Sequence, residues 1–102
     1  MGDLTVIRWR DIPMQIVARA ADGTSARALL SDRFQEAVDA AAMVAGLIGS
    51  DDYTSQMAMD RREVVDDALQ AEVDTEAARL EAEWSDELLR AVIRTGGTRE
   101  GA

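Results

Sequence analysis

Leu4-Thr5-Val6-Ile7-Arg8-Trp9-Arg10, then Asp11-Ile12-Pro13, then Met14-Gln15-Ile16-Val17-Ala18-Arg19-Ala20: this stretch decides the fold. The two outer runs are rich in β-branched, aromatic and other apolar residues, and each reads as a strand. Pro13 cannot donate a ladder hydrogen bond and pushes Ile12 to extended geometry, so the middle tripeptide interrupts the run. So short a connection favours an antiparallel pair. Strict alternation sends Thr5, Ile7 and Trp9 one way and Leu4, Val6, Arg8 and Arg10 the other. In the second run Met14, Ile16 and Ala18 share a face, and Gln15, Val17 and Arg19 share the opposite one. Neither face is cleanly polar, so both are expected to be covered, one by helices and the other by a partner or a second copy.

Downstream, Ala21-Asp22-Gly23-Thr24-Ser25 reads as a turn. Arg27 to Leu30 reads either as a short third strand or as the run-in to a helix. Ser31 is a good N-cap, and Asp32 in the first turn suits the helix dipole. From there Phe34, Val38, Ala41, Ala45 and Ile48 form one apolar stripe, widened by Ala37 and Val44, until Gly46. Ser50 repeats the cap, predicting a short helix through Met59 with Tyr53 and Met57 turned inward. A long helix is predicted from about Arg61, with Val65, Leu69, Val73, Ala77, Leu80, Trp84, Leu88 and Val92 as its stripe. Ser85 ahead of Asp86 and Glu87 predicts a break near Trp84. Thr95 to Ala102 is expected to fray. The expected architecture is a single α+β domain over residues 1–94, with a flexible C-terminal tail over 95–102. An N-terminal antiparallel β-hairpin is followed by three or four α-helices packed on one face.

The missing residue types restrict chemistry sharply. The 102 residues include no His and no Cys, and all 11 basic residues are Arg. That removes thiolate nucleophiles and zinc–thiolate sites, imidazole bases and ligands, and lysine Schiff bases. A non-catalytic protein without a cofactor is therefore expected. The net charge of −9 is uneven: residues 1–33 are nearly neutral and the remainder is strongly anionic. Nucleic acid and anionic membrane surfaces both need clustered positive charge, so neither is an expected partner. No targeting or membrane-spanning pattern is visible, which makes the cytoplasm the default location.

Candidate sites concentrate at the hairpin bend. Arg8, Arg10, Asp11 and Gln15 form a dense polar group suited to an acidic group or partner loop. The alternative is that Arg10 and Asp11 tie down the bend, or that the arginines reach the chain's own acidic helices. Trp9 and Trp84 read first as core anchors, and as partner contacts only if exposed. Asp51, Asp52, Asp60, Asp66 and Asp67 supply oxygen ligands but not EF-hand spacing, and Asp51 and Asp52 fit a helix N-terminus better. The carboxylate pairs Glu81 with Glu83 and Asp86 with Glu87 read as solvated helix faces.

The string Trp9-Arg10-Asp11-Ile12-Pro13-Met14-Gln15 carries a further signal. Together with Ser31-Asp32-Arg33-Phe34-Gln35-Glu36-Ala37-Val38-Asp39, it resembles the small bacterial virulence factor domain family over residues 4–93. The first string is fairly specific, and the helical remainder is generic. The resemblance implies an accessory role beside corrinoid-dependent methyl transfer or folate one-carbon chemistry, and it supplies no catalytic residues. Without His the chain cannot give a corrinoid its axial imidazole, so it would act on a protein. The expected function is a protein–protein interaction module docking through Arg8, Trp9, Arg10, Asp11, Ile12, Pro13 and Gln15. The alternatives are a homodimer joined through the hairpin, or a small subunit of an enzyme complex using carboxylate or Arg residues.

Overall fold

The computed structural model describes residues 1–47 and 55–99. The hairpin is present as β1 (Gly2–Trp9) and β2 (Ile12–Arg19), and the α+β class holds. Two more strands flank it: β3 (Ser25–Leu29) beside β2, and β4 (Met57–Val64) beside β1. Among the described residues the sheet is four-stranded, antiparallel throughout, in the order β3-β2-β1-β4. The helices are α1 (Asp32–Ala45), α2 (Leu69–Glu83, entered through a short 3-10 turn) and α3 (Asp86–Arg94).

β4 corrects the expected run of helix around Met59 and Arg61. Met57-Ala58-Met59-Asp60-Arg61-Arg62-Glu63-Val64 is rich in good helix formers. Yet it pairs with β1 from Gly2–Val64 to Trp9–Met57, satisfying backbone groups that would otherwise leave one edge of β1 open. Tertiary pairing outweighs local propensity here. The predicted partner of Met57, Tyr53, lies outside the described residues, as does Ile48.

The strand faces follow the expected alternation, with one correction. Leu4 and Val6 pair with Ala18 and Ile16 on the helix side, joined by Ala26 and Ala28 of β3. Between the Ile7–Gln15 and Arg8–Pro13 pairs the register slips, so Met14 has no residue opposite it. This bulge accommodates Pro13 within an interior strand, where a missing N–H would otherwise cost a ladder bond. Beyond it Trp9 and Ile12 are fully buried, so Trp9 does not share the environment of Thr5 and Ile7.

Helix α1 begins after Ser31 and ends at Gly46, whose left-handed φ of 74° closes the C-terminus. Leu47 N–H donates to the Ala42 carbonyl and completes that cap. Its buried face is Phe34, Ala37, Val38, Ala41 and Ala42, whereas Val44 is exposed. Helix α2 buries Leu69, Val73 and Leu80, and the break at Trp84 comes where expected. Ser85 Oγ accepts from Leu88 N–H, starting α3. The new cap resets the helical phase, so Leu89 and Val92 are buried while Leu88 is only partly covered. Trp84 stands edge-on to Phe34 within the core.

Residues 95–99 depart from the frayed tail expected there. After α3 the chain turns through Gly96 and Gly97, both at positive φ, and lies against the hairpin bend. Asp11 N–H donates to the Gly97 carbonyl, and Arg99 N–H donates to the Asp11 carboxylate at 2.7 Å. The Arg10 guanidinium donates to the Gly96 carbonyl and to Gln56 Oε1. Gly97 lies so close to the Trp9 ring that a Cβ there would sit 2.7 Å from an indole carbon. At a φ of +105° an L side chain is strained as well. Gly97→Ala should therefore cost about 2–4 kcal/mol, strain and overpacking together, measured by urea denaturation.

Candidate functional site

Helix α2 lies across β2 and β3 and barely reaches β1. Beside it the Val6–Arg8 end of β1 and the Asp60–Arg62 part of β4 are left open on the same sheet side, while Leu4 and Val64 are buried. The result is a groove of about 370 Å³. Its floor is Leu4, Val6 and Arg8 of β1 with Asp60 and Arg62 of β4. One wall is Glu76, Arg79, Leu80 and Glu83 of α2, followed by Trp84. The end is closed by Asp11 and Pro13 of the hairpin bend and by Arg99 of the C-terminal segment. Arg61 also borders it, so five of the eleven arginines line the groove against four carboxylates. The groove is therefore slightly positive in a strongly acidic chain.

An ion-pair network organises those charges. Glu76 points inward from α2, and its side chain is only 8% exposed. Its carboxylate takes Arg79 Nε at 3.0 Å and Arg79 Nη2 in a shorter contact, with Arg62 Nη2 at 3.4 Å on the other oxygen. Burial alone would push this carboxyl up, but the hydrogen bonds and charges of Arg79 and Arg62 outweigh it and hold the pKa below its ordinary value. Arg79 is correspondingly raised, mainly by its hydrogen bonds to Glu76. Arg8 donates through Nε to Asp60 at 2.9 Å and lies 3.5 Å from Asp11. Arg79 and Arg99 both reach Glu83, at 3.4 and 3.3 Å.

The residues expected to bind a partner divide among four environments. Arg8, Asp11 and Pro13 line the groove. Trp9 and Ile12 are core side chains. Arg10 clamps the C-terminal segment, its guanidinium 5.3 Å from the Trp9 ring centroid. Gln15 lies on the opposite, helix-free sheet face with Ile7, Val17 and Met59. Arg10 and Asp11 do tie down the bend, and Arg8 does reach an acidic residue of its own chain.

Arg62, Glu76, Arg79 and Arg99 join the groove without having been singled out by sequence, and Glu83, read as part of a solvated face, joins them. Glu76, Arg79 and Glu83 do follow helical i, i+3 and i+4 spacing, a legible sign of one charged stripe. What was not legible is that β4 lies opposite that stripe. Glu81 and Glu83 do not act as a pair. Glu81 turns away to accept from Ser31 N–H and Ser31 Oγ and to meet Arg33. Ser31 thus opens α1 without capping it through its own side chain, because its hydroxyl donates to Glu81. Burial pushes the Glu81 carboxyl up, but the bonds from Ser31 and Arg33 prevail and lower its pKa. Among the described residues no group of three or more Asp or Glu is placed to hold a metal ion. Asp51 and Asp52 lie outside them. No helix among the described residues is long and apolar enough to cross a membrane.

These features define a small α+β protein with one helix-covered antiparallel sheet and an ion-paired groove at its open part. The chain belongs to the virulence factor family, whose family model matches residues 7–93. No curated protein and no solved structure matches it.

Two outcomes follow from this geometry. Arg10 holds a left-handed φ of 51°, so Arg10→Ala keeps the strain while losing the clamp. Arg10→Gly loses the same contacts but relieves the strain, and should be more stable than the Ala variant by roughly 1 kcal/mol in chemical denaturation. For Glu76 the folded pKa lies below the unfolded one, so the folded state binds fewer protons in that window. Its stabilisation is present above the ordinary value of 4.5 and is lost as pH falls through the folded value. Glu76→Gln should cost about 1–2 kcal/mol at neutral pH, and the difference from wild type should shrink as pH drops into the acid range.

Proposed function

We propose that the chain is a non-catalytic interaction module whose protein partner docks over the groove between α2 and the β1–β4 strands. The observation that carries this reading is the open part of the helix-bearing face, where partly exposed Val6 and half-exposed arginines lie side by side. Concave sites with apolar walls and a few converging polar groups are the usual places for binding. Arg8, Asp11 and Pro13 bring the family-like motif to the rim of this groove. If the partner belongs to corrinoid- or folate-dependent methyl transfer, the chain acts there on a protein, since it has no imidazole to offer a metal.

A second reading is a homodimer, and the helix-free sheet face favours it. That face exposes Met59 and carries Ile7 and Val17 among Asp3, Arg19 and Arg27. Both edges of the hairpin are already paired within the chain, so a joint sheet would have to form through β3 or β4 instead. Face-to-face stacking remains open to a second copy.

Affinity capture with the intact chain as bait, repeated with two variants, separates the readings. A partner recovered by wild type and by Val17→Arg, but lost with Arg62→Glu combined with Arg79→Glu, supports docking at the groove. Retention by the groove variant, or loss with Val17→Arg, argues against it. Light scattering on the wild type should give a monomer, and a dimer abolished by Val17→Arg would favour the second reading.

A further inference from the structure

Two guanidiniums at the groove, those of Arg79 and Arg99, are fixed from behind but loosely engaged in front, and that of Arg62 is loosely held by Glu72 and Glu76 alike, at 3.4 Å each. The side chains of Arg62, Arg79 and Arg99 are 51, 56 and 48% exposed. Arg79 is anchored through Nε and Nη2 on the buried Glu76. Arg99 lies over the Trp84 ring, 5.1 Å from its centroid. Their outward contacts are long: Arg62 to Glu72 at 3.4 Å, Arg79 to Glu83 at 3.4 Å and Arg99 to Glu83 at 3.3 Å. Charge-assisted bonds normally close to about 2.7–2.9 Å. Two cations therefore converge on one carboxylate that satisfies neither well. Beside them Val6 is the partly exposed apolar side chain of the floor, above Leu4 and Leu80, which are 1 and 5% exposed.

We infer that the groove takes a carboxylate-bearing segment of the partner protein, seating an Asp or Glu side chain between Arg79 and Arg99 and an apolar neighbour on Val6. This rests on the interaction-module reading and names the chemistry of its partner. Glu83 acts as an internal stand-in for the incoming carboxylate. The four carboxylates around the groove oppose a compact dianion such as phosphate, whereas one added carboxylate is matched by the guanidinium donors. Partly exposed Val6 gives a small inorganic anion nothing to bury, but suits an aliphatic side chain.

The test is an NMR titration of the intact chain, following backbone and arginine Nε–H signals. The probes are a blocked pentapeptide with one Glu between two Leu, its Gln counterpart, and inorganic phosphate. The Glu peptide should shift the Arg79 and Arg99 signals, and the Gln peptide should bind at least about tenfold more weakly. Glu83→Gln removes the stand-in and should tighten the Glu peptide by about three- to tenfold, a gain that a purely structural Glu83 would not produce. Arg79→Gln should abolish the shifts while leaving the spectrum of a folded protein. Equal binding of the two peptides, no shift with the Glu peptide, shifts with phosphate alone, or weaker binding by Glu83→Gln would each overturn the inference. If partner capture depends on the groove while the Glu peptide leaves it unmoved, the interaction module stands and the acidic segment falls.

Discussion

The joint between the hairpin bend and the segment after α3 is the constraint on which the rest of the structure depends. Arg10 and Asp11 hold Gly96, Gly97 and Arg99 by hydrogen bonds to backbone, and the flat Trp9 ring fills the space that Gly97, without a side chain, leaves. A backbone carbonyl buried this way needs a donor, and the bend supplies it twice. The joint also settles α3, which packs on α1, and it delivers Arg99 onto Trp84 at the closed end of the groove. The strained φ at Arg10 persists because these contacts over-determine it.

From that joint the groove follows almost by subtraction. Helix α2 is turned toward β2 and β3, and it leaves the Val6–Arg8 end of β1 and the middle of β4 open. Polar residues then have to satisfy one another across the gap. Glu76 does so from within, drawing Arg79 along its own helix and Arg62 across from the sheet edge. A buried carboxylate with two arginines is weak support for stability in itself, but it fixes where the guanidiniums stand. Position, more than strength, is what the network contributes.

The hairpin, the break at Trp84 and the start of α1 were legible because each depends on neighbours in sequence: strand alternation, a proline, a serine cap. β4 was not, since its residues favour helix and only β1 makes them a strand. The bulge at Met14 was equally hidden, and with it the burial of Ile12, whereas Trp9 and Trp84 are the core anchors the sequence suggests. The Trp9–Pro13 string was recognisable as special, yet its largest side chains serve the core and the C-terminal joint. Glu76 and Arg79 were visible as one stripe of α2, but the opposing Arg8 and Arg62 come from strands far away in the chain. A site assembled from four segments leaves only fragments in any one of them.

The bond from Arg99 to Asp11 spans 88 positions of sequence. During synthesis, sheet and helices can form while that span is still incomplete, but the indole of Trp9 stays uncapped until Gly97 emerges. A fold formed before those residues dock would have most of its secondary structure but leave the Gly97-facing edge of the indole open to water. The joint therefore ties the closing of the core around Trp9 to the docking of residues 96–99, long after the hairpin itself can pair.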